Sequence, residues 1–262
     1  MKKYLVIGNP IAHSLSPKLH NYWYKKNNIN AIYEKKELDE EHLKDLFLKI
    51  KKNQLNGINV TVPFKNKIIP FLDKLTVEAD KTQSVNTIYL DNDLIIGHNT
   101  DIIGFQKSIK DIKFNLTRKK ILILGAGGVV PSIIFALNKM NAPNIIVSNR
   151  TKDKAIKLKS FFKNLTIVDW GEIPDFDMII NATSVGLKND KLDLDFSKTK
   201  KDKLFYDVIY NPEETEFLKI GKSYGNKTEN GGKMFIHQAA AAFEIWHGVK
   251  PEINDEITEL LY

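Results

Sequence analysis

The sequence predicts an α/β protein of two domains, an open α/β domain and a doubly wound parallel sheet. Two observations carry this. Short, apolar, β-rich runs alternate with helical stretches along the chain, and repeated βα units favour parallel sheets covered by helices. The run "RKKILILGAGGVV" (118–130) then starts a second βα pattern after a hairpin has ended the first. A length of 262 residues suits one large domain or two modest ones.

The elements follow in order. "YLVIG" (4–8) reads as a short buried strand ending in Gly8-Asn9-Pro10. "SPKLHNYWYKKN" (16–27) reads as a helix with Pro17 at its first position, and "AIYEKKEL" alternates like a strand. "DEEHLKDLFLKIKK" (39–52) is an amphipathic helix with Asp39 as N-cap. "GINVTV" (57–62) is a strand, and a helix is expected to start at Pro63. "TVEADKTQSVN" holds a further helix, and "TIYL-DND-LIIGHN" is a hairpin turning at Asp91-Asn92-Asp93. Thr100 to Phe114 reads as a helix. Strands are then expected at 144–150, 166–170, 177–183 and 204–210, with helices between them that include 151–164. The closing "MFIHQAAAAFEIWHG" (234–248) is strongly helical.

The net charge is +7, supplied almost wholly by lysines spread along the chain. That reads as a solvated surface rather than a nucleic-acid patch, which would cluster Arg with aromatics. A mild positive field still favours anionic ligands. There are no cysteines, which removes disulfides, thiolate metal sites and a Cys nucleophile. His13, His20 and His98 show no metal-ligand spacing, so caps or core hydrogen bonds are expected of them and no metal. The first apolar run is too short for a signal-peptide core, and no stretch is long enough to span a membrane. A cytoplasmic location is expected.

Gly125-Ala126-Gly127-Gly128-Val129-Val130 follows a buried strand and opens a helix, the context that makes a glycine-rich loop a dinucleotide fingerprint. Gly125 allows the tight turn and Gly127 lets backbone approach a pyrophosphate at the helix N-terminus. Val130 stands where a third glycine is usual. A Rossmann-type domain is thereby expected. An NAD site wants a carboxylate about 20 residues on, at the tip of the second strand. Here that tip reads Ser148-Asn149-Arg150-Thr151, with Lys154 beyond it. Arg150 and Lys154 suit a 2′-phosphate, with Asn149 and Thr151 as further donors, so NADP is the expected cofactor. Asp153 opposes phosphate, and two solvated cations at a loop is the plain alternative.

Polar residues gather at turns and strand ends of the first region: Ser14 and Ser16; Asn59, Thr61 and Lys65; Asn86; Asn99-Thr100-Asp101; and Gln238 on the last helix. Each has a plain reading: Ser16 and Asp101 as N-caps, Asn86 as an Asx-turn, Gln238 as surface, Lys65 as an exposed cation.

Together with "GNPIAHSLSPKLHN", "GINVTVPFK", "SVNTI", "GHNTDIIGF", "LGAGG", "SNRT", "NATSVGL" and "DVIYNPEETEFL", these clusters resemble the shikimate dehydrogenase family over nearly the whole chain. The resemblance implies a substrate-binding domain at 1–104 plus 234–262 and an NADP domain at 105–233. It implies reversible, NADP-dependent reduction of 3-dehydroshikimate to shikimate, in aromatic amino acid biosynthesis. Ser14 and Ser16 would hold the substrate carboxylate, and Thr61, Asn86, Asp101 and Gln238 its hydroxyls, with Asn59 and Tyr210 near the same pocket. Lys65 and Asp101 match the catalytic pair. Gly125, Ala126, Gly127, Gly128, Asn149, Arg150, Thr151 and Lys154 match cofactor positions, and Thr183, Gly231 and Met234 the nicotinamide side. Lys233 departs from a frequent glycine. The partner implied is a small molecule, for a monomer or homodimer without nucleic acid or membrane.

A lysine in the first turn of a helix is unfavourably placed against the dipole. A site that must trade a proton with its ligand gives Lys65 a functional reason for that position. A quinate/shikimate dehydrogenase preferring NAD, and a non-catalytic NADP-sensing protein, are the alternative readings.

Overall fold

Strand β1 (Lys2–Gly8) decides what lies on each side of the first sheet. Successive side chains of a strand alternate faces. Leu5 and Ile7 pack with Leu43, Phe47, Ile50, Ile58 and Phe64, while Tyr4 meets Tyr24 and Trp246. The structure, a computed structural model, describes every residue except Asn189. It divides into two units, Met1–Gly104 with Ile236–Tyr262, and Phe105–Phe235.

In the first unit, β1 is followed by α1 (Ser16–Lys26), β2 (Ala31–Glu37), α2 (Leu43–Lys51), β3 (Gly57–Val60), β4 (Lys74–Leu75), α3 (Val77–Thr82), β5 (Thr87–Asp91), β6 (Leu94–His98) and the start of α4 (Asp101–Asp111). The sheet order is β2-β1-β3-β5-β6-β4. Strand β1 runs parallel to both neighbours, and β5 antiparallel to β3 and β6. The β5–β6 hairpin turns at Asn92 and Asp93, both with positive φ, as a tight two-residue turn requires. Helix α8 (Gly232–His247) returns with Phe243 against Trp23 and Tyr24. Trp246 lies on Gly57, where an added Cβ would come within 2.5 Å of the indole nitrogen. That nitrogen donates to Ile88 O at 3.1 Å. Helix α9 (Asp255–Leu261) closes the chain, capped by Asn254.

The second unit holds β7 (Lys120–Leu124), α5 (Val130–Lys139), β8 (Asn144–Ser148), α6 (Lys152–Leu158), β9 (Leu165–Val168), β10 (Met178–Asn181), β11 (Leu204–Asp207), α7 (Glu216–Ser223) and β12 (Lys227–Glu229). Every strand pair is parallel, in the order β12-β11-β10-β7-β8-β9. Numbered within the unit this is 3-2-1-4-5-6 read from β9, the doubly wound order with its switch point between β7 and β10. The central strands are buried along their length, as a sheet covered on both faces demands.

The structure differs from the sequence expectation at several elements. No helix starts at Pro63: residues 61–68 run through turns in which Phe64 N donates to Thr61 O and Ile68 N to Phe64 O, and Phe64 and Ile68 drop into the core. The stretch 39–52 splits into a 3₁₀ turn at Glu40–His42 and α2. Asp39 caps neither, and its carboxylate accepts from Asn9 Nδ2 at 3.1 Å. Helix α6 ends at Leu158, not 164, because the chain tightens into i→i+3 bonds from Lys159, Ser160 and Phe161. Strands β10 and β11 stop at Asn181 and Asp207, where side chains take over the backbone bonding. Strand β12 and helix α9 are short and unmarked by periodicity.

Candidate functional site

Sheet register assembles the polar groups of the first unit. Asn59 near the end of β3 lies opposite Thr87 at the start of β5, and Thr87 opposite His98 at the end of β6. Asn86 precedes β5, and Asn99, Thr100 and Asp101 follow β6. Residues distant in sequence therefore meet at one end of the sheet.

The Asn86 amide is the hub. Its Oδ1 accepts from Thr100 N at 2.8 Å, which fixes its orientation, and from the Thr87 hydroxyl at 3.0 Å. Its Nδ2 donates to Asp101 Oδ1 at 2.8 Å and meets Gln238 Oε1 at 3.5 Å. The other Asp101 oxygen takes the Lys65 ammonium at 2.5 Å, with side chains only 11% and 8% exposed. Asp101 N in turn donates to Asn99 Oδ1 at 3.1 Å. Lys65 is tied to the segment ahead of β5 through its carbonyl, which accepts from Val85 N at 2.8 Å. A buried pair of this kind is held by its surrounding hydrogen bonds, since desolvating two charges costs about as much as their attraction returns. Asp101 also opens α4, where a carboxylate complements the helix dipole.

Ser14 and Ser16 stand at the start of α1. The helix begins at Ser16 itself, Leu15 flanks it, and no side chain of the flanking residue caps it. Ser16 is thus not the N-cap, and Pro17 falls one position later than expected. Ser14 Oγ accepts from Ser16 N at 3.3 Å. Both hydroxyls share the positive end of an eleven-residue helix, a setting that suits a carboxylate.

In the second unit, Gly125 follows β7 with φ +112°, and a Cβ there would stand 2.8 Å from Ala182 O. Gly127 is exposed, with nothing within 4 Å of where its Cβ would be. Open backbone ahead of α5 is what a pyrophosphate needs. Val130 begins α5 and is fully buried, so it serves packing there. At the tip of β8 the Asn149 amide donates to Thr151 O at 2.7 Å and shapes the turn. Arg150 and Lys154 are exposed and, among the described residues, in no ion pair. Lys152 is engaged by Asp169 at 2.6 Å. Asp153 lies in the first turn of α6, where its charge meets the helix dipole. The chemistry of this edge, open glycine backbone beside two unpaired cations, fits a dinucleotide with an added phosphate.

Three family models cover most of the chain: the shikimate dehydrogenase substrate binding domain at residues 6–88, shikimate / quinate 5-dehydrogenase at 107–213, and the shikimate 5'-dehydrogenase C-terminal domain at 233–255. A shikimate dehydrogenase (NADP(+)) of Pelagibacter ubique is 58% identical over 261 residues, 99% of this chain and 98% of the relative. The chain belongs to the shikimate dehydrogenase family. The crystal structure of shikimate dehydrogenase from Aquifex aeolicus matches with a TM-score of 0.91 at 40% identity, covering 100% of this chain and 97% of that one. A Thermus thermophilus family member in complex with NADP(H) and shikimate matches with a TM-score of 0.91 at 30% identity, covering 100% and 98%.

Against this family background, Lys65, Asp101, Asn86 and Gln238 are brought together in the first unit. Thr61 follows β3, with its backbone N–H on Ile7 O. Asn59 is oriented inward: Tyr33 Oη donates to its Oδ1 at 2.7 Å, and its Nδ2 donates to Asn86 O and Thr87 Oγ1, both at 3.0 Å. Its donors are spent on the strand ends. The second unit carries Thr183, Tyr210, Gly231 and Met234. Tyr210 stacks on Phe235 at 4.3 Å. Gly231 is demanded by packing, because a Cβ would meet Val208 O at 2.1 Å. Lys233 pairs with Glu229 at 2.7 Å on the α8 surface.

His98 Nδ1 meets the Thr76 hydroxyl at 2.8 Å, a bond of the expected kind, but His20 differs from expectation. His20 is fully buried, with both ring nitrogens unbonded among the described residues, and stacks on Tyr33 at 4.2 Å. Burial, and then His247 nearby, push it down to about 3, so it is neutral. Among the described residues no group of three or more His, Asp or Glu is placed to hold a metal, and no helix is long and apolar enough to cross a membrane. Sequence reading passed over Tyr33, Thr87, Asn181, Asp207 and Thr215. The last three form a buried polar knot whose one signal is a carboxylate ending an apolar strand run, "LFYD".

Proposed function

We propose that this chain catalyses the reversible NADP-dependent reduction of 3-dehydroshikimate to shikimate, with residues 1–104 and 234–262 binding the substrate and 105–233 the cofactor. The observation that carries the reading is the buried Lys65–Asp101 pair, aimed by Asn86 and tied through its neighbours to two strand ends.

NADP, when bound by the glycine loop, Arg150 and Lys154, supplies or takes up the hydride. The chain's own residues do the rest. Ser14 and Ser16 offer two hydroxyl donors to the substrate carboxylate. Asn86, Gln238 and Thr61 bond its hydroxyls. In reduction the carbonyl oxygen gains a proton from the Lys65 ammonium, and in oxidation the Lys65 amine takes the hydroxyl proton back. Asp101 holds the ammonium in line and accepts from a neighbouring hydroxyl. Thr183, Gly231 and Met234 line the nicotinamide side. The protein works as a cytoplasmic monomer or homodimer without nucleic acid, a reading supported by its scattered lysines and lack of cysteine.

Two observations favour this over the alternatives. Unpaired Arg150 and Lys154, with no carboxylate at the β8 tip, favour NADP over NAD. The polar network around Lys65 and Asp101 is intact, which a non-catalytic sensor has no need to keep. Absorbance at 340 nm with shikimate and quinate, each against NADP and NAD, tests the proposal. Shikimate with NADP is expected to be much the fastest. Equal rates with NAD, or a preference for quinate, overturn it.

A further inference from the structure

The first half of a doubly wound dinucleotide site lies at the carboxyl ends of β7 and β8, and the second half at those of the strands beyond the switch point. In this chain those are β10 and β11, which end in Asn181 and Asp207. Both are fully buried and polar, and they bond to each other.

Among the described residues the Asp207 carboxylate faces only donors. Oδ1 accepts from Ile209 N at 3.0 Å and Asn181 Nδ2 at 3.2 Å. Oδ2 accepts from Thr215 Oγ1 at 2.6 Å and Asn181 Nδ2 at 3.1 Å. Each partner holds a further segment. Asn181 Nδ2 also donates to Val185 O at 3.1 Å, so its Oδ1 is turned to Thr183, accepting from Thr183 N at 3.1 Å and Oγ1 at 2.7 Å. Ile209 O accepts from Gly231 N at 2.9 Å, at the entrance to α8. Thr215 Oγ1 caps α7 by accepting from Leu218 N at 3.4 Å. One carboxylate thereby sets the loops after β10 and β11 and the turn before Met234.

We propose that Asp207 is a positioning residue for the nicotinamide half of the cofactor site, fixing Thr183, Ile209 and Gly231 through Asn181 and backbone hydrogen bonds. The proposal rests on the reading of this unit as the NADP site. A role in stability alone is a poor account of the group. No cation pairs with Asp207 among the described residues, and a buried carboxylate without one is costly. Burial pushes this carboxyl up to about 6 despite its hydrogen bonds. An apolar residue or a hydroxyl would fill the space at less cost. What these cannot supply is an acceptor for several donors at once, which is what orders the loops.

The test compares NADP+ with 2′,5′-ADP, which lacks the nicotinamide half, by titration calorimetry on the full chain. Asp207→Asn turns an amide N–H toward groups that are already donors. It is expected to weaken NADP+ about tenfold or more while 2′,5′-ADP stays within about twofold. Thr215→Val removes one donor and is expected to give the same pattern more weakly, with Thr215→Ser restoring wild-type binding. Unchanged NADP+ affinity, or equal loss of both ligands, overturns the proposal. If Asp207→Asn does not fold, the Thr215→Val pattern decides by the same criteria. A wild-type chain that binds 2′,5′-ADP no better than 5′-AMP overturns the underlying NADP reading instead, and shows it before any variant is made.

Discussion

The two units treat charge in opposite ways. In the first, Lys65 and Asp101 are buried together and neutralise each other, with Asn86 holding the acid. In the second, among the described residues, Arg150 and Lys154 stand exposed at the tip of β8 without an ion-pair partner, and the buried Asp207 is met by neutral donors alone. On the proposed function, the difference separates two tasks. A group that moves a proton must be aimed before substrate arrives, so its partners are built in. A group that selects a phosphate is left unpaired, and the ligand's own charge completes it.

The sharpest way to break this division is Lys65→Ala. If Lys65 is the proposed proton carrier, its loss is expected to lower kcat about 10²–10⁴-fold, with a small change in KM for shikimate because the proposed anchors Ser14 and Ser16 are untouched. A change confined to KM makes Lys65 a binding residue. Arg150→Ala is expected to do the reverse, weakening NADP+ about tenfold to a hundredfold and leaving NAD+ as it was. Lys154→Ala follows with a smaller loss, as a point charge without a planar fork. Similar losses for NAD+ in either variant mean that the cations do not read the 2′-phosphate.

Ser14→Ala and Ser16→Ala each remove one proposed bond to the substrate carboxylate and are expected to raise KM for shikimate about tenfold at nearly constant kcat. Unchanged kinetics in both would leave the two serines as features of the α1 start only.

Acid stability separates the units by sign. His20 titrates near 6.5 when unfolded and is held down to about 3 in the fold. Its contribution is full above about 6.5 and is lost as pH falls, at about 1.4 kcal/mol per pH unit until the folded pKa is reached. His247, pushed down to about 4 by burial, acts in the same direction. Asp207 runs the other way: raised from 3.8 to about 6, its contribution is full below 3.8 and lost as pH rises through 6. Between pH 6 and 4 the first unit therefore weakens while the second is favoured by protonation. Hydrogen exchange at pH 5 and 7 is expected to show α1 and β2 losing protection before β10 and β11 on acidification, and the opposite order contradicts the assignment.

The sequence made much of this frame legible. The apolar strands of the second unit and the glycine loop could be placed because turn residues bound each run, and the Arg150 tip because it follows β8 directly. The segment after Pro63 could not. A proline at a strand end suits a helix start or a turn equally, and what chose the turn was the burial of Phe64 and Ile68 in a core built from distant residues. The Lys65–Asp101 pair spans 36 residues and has no local spacing, so only the family resemblance joined the two residues. Lys65 sits there for a different reason from the one its sequence suggested, because its neighbour is a carboxylate rather than a helix terminus. Asp207 stayed hidden inside "LFYDVIY", where a buried acid looks like any strand-ending polar residue until its donors are seen.

The central claim is that proton transfer belongs to one unit and cofactor selection to the other, and two double-mutant cycles on kcat/KM measure it directly. Lys65→Ala with Asp101→Asn should be far less than additive, since the two act on one proton. Lys65→Ala with Arg150→Ala should be additive within about 0.5 kcal/mol. Additivity in the first cycle, or strong coupling in the second, would contradict the division of labour.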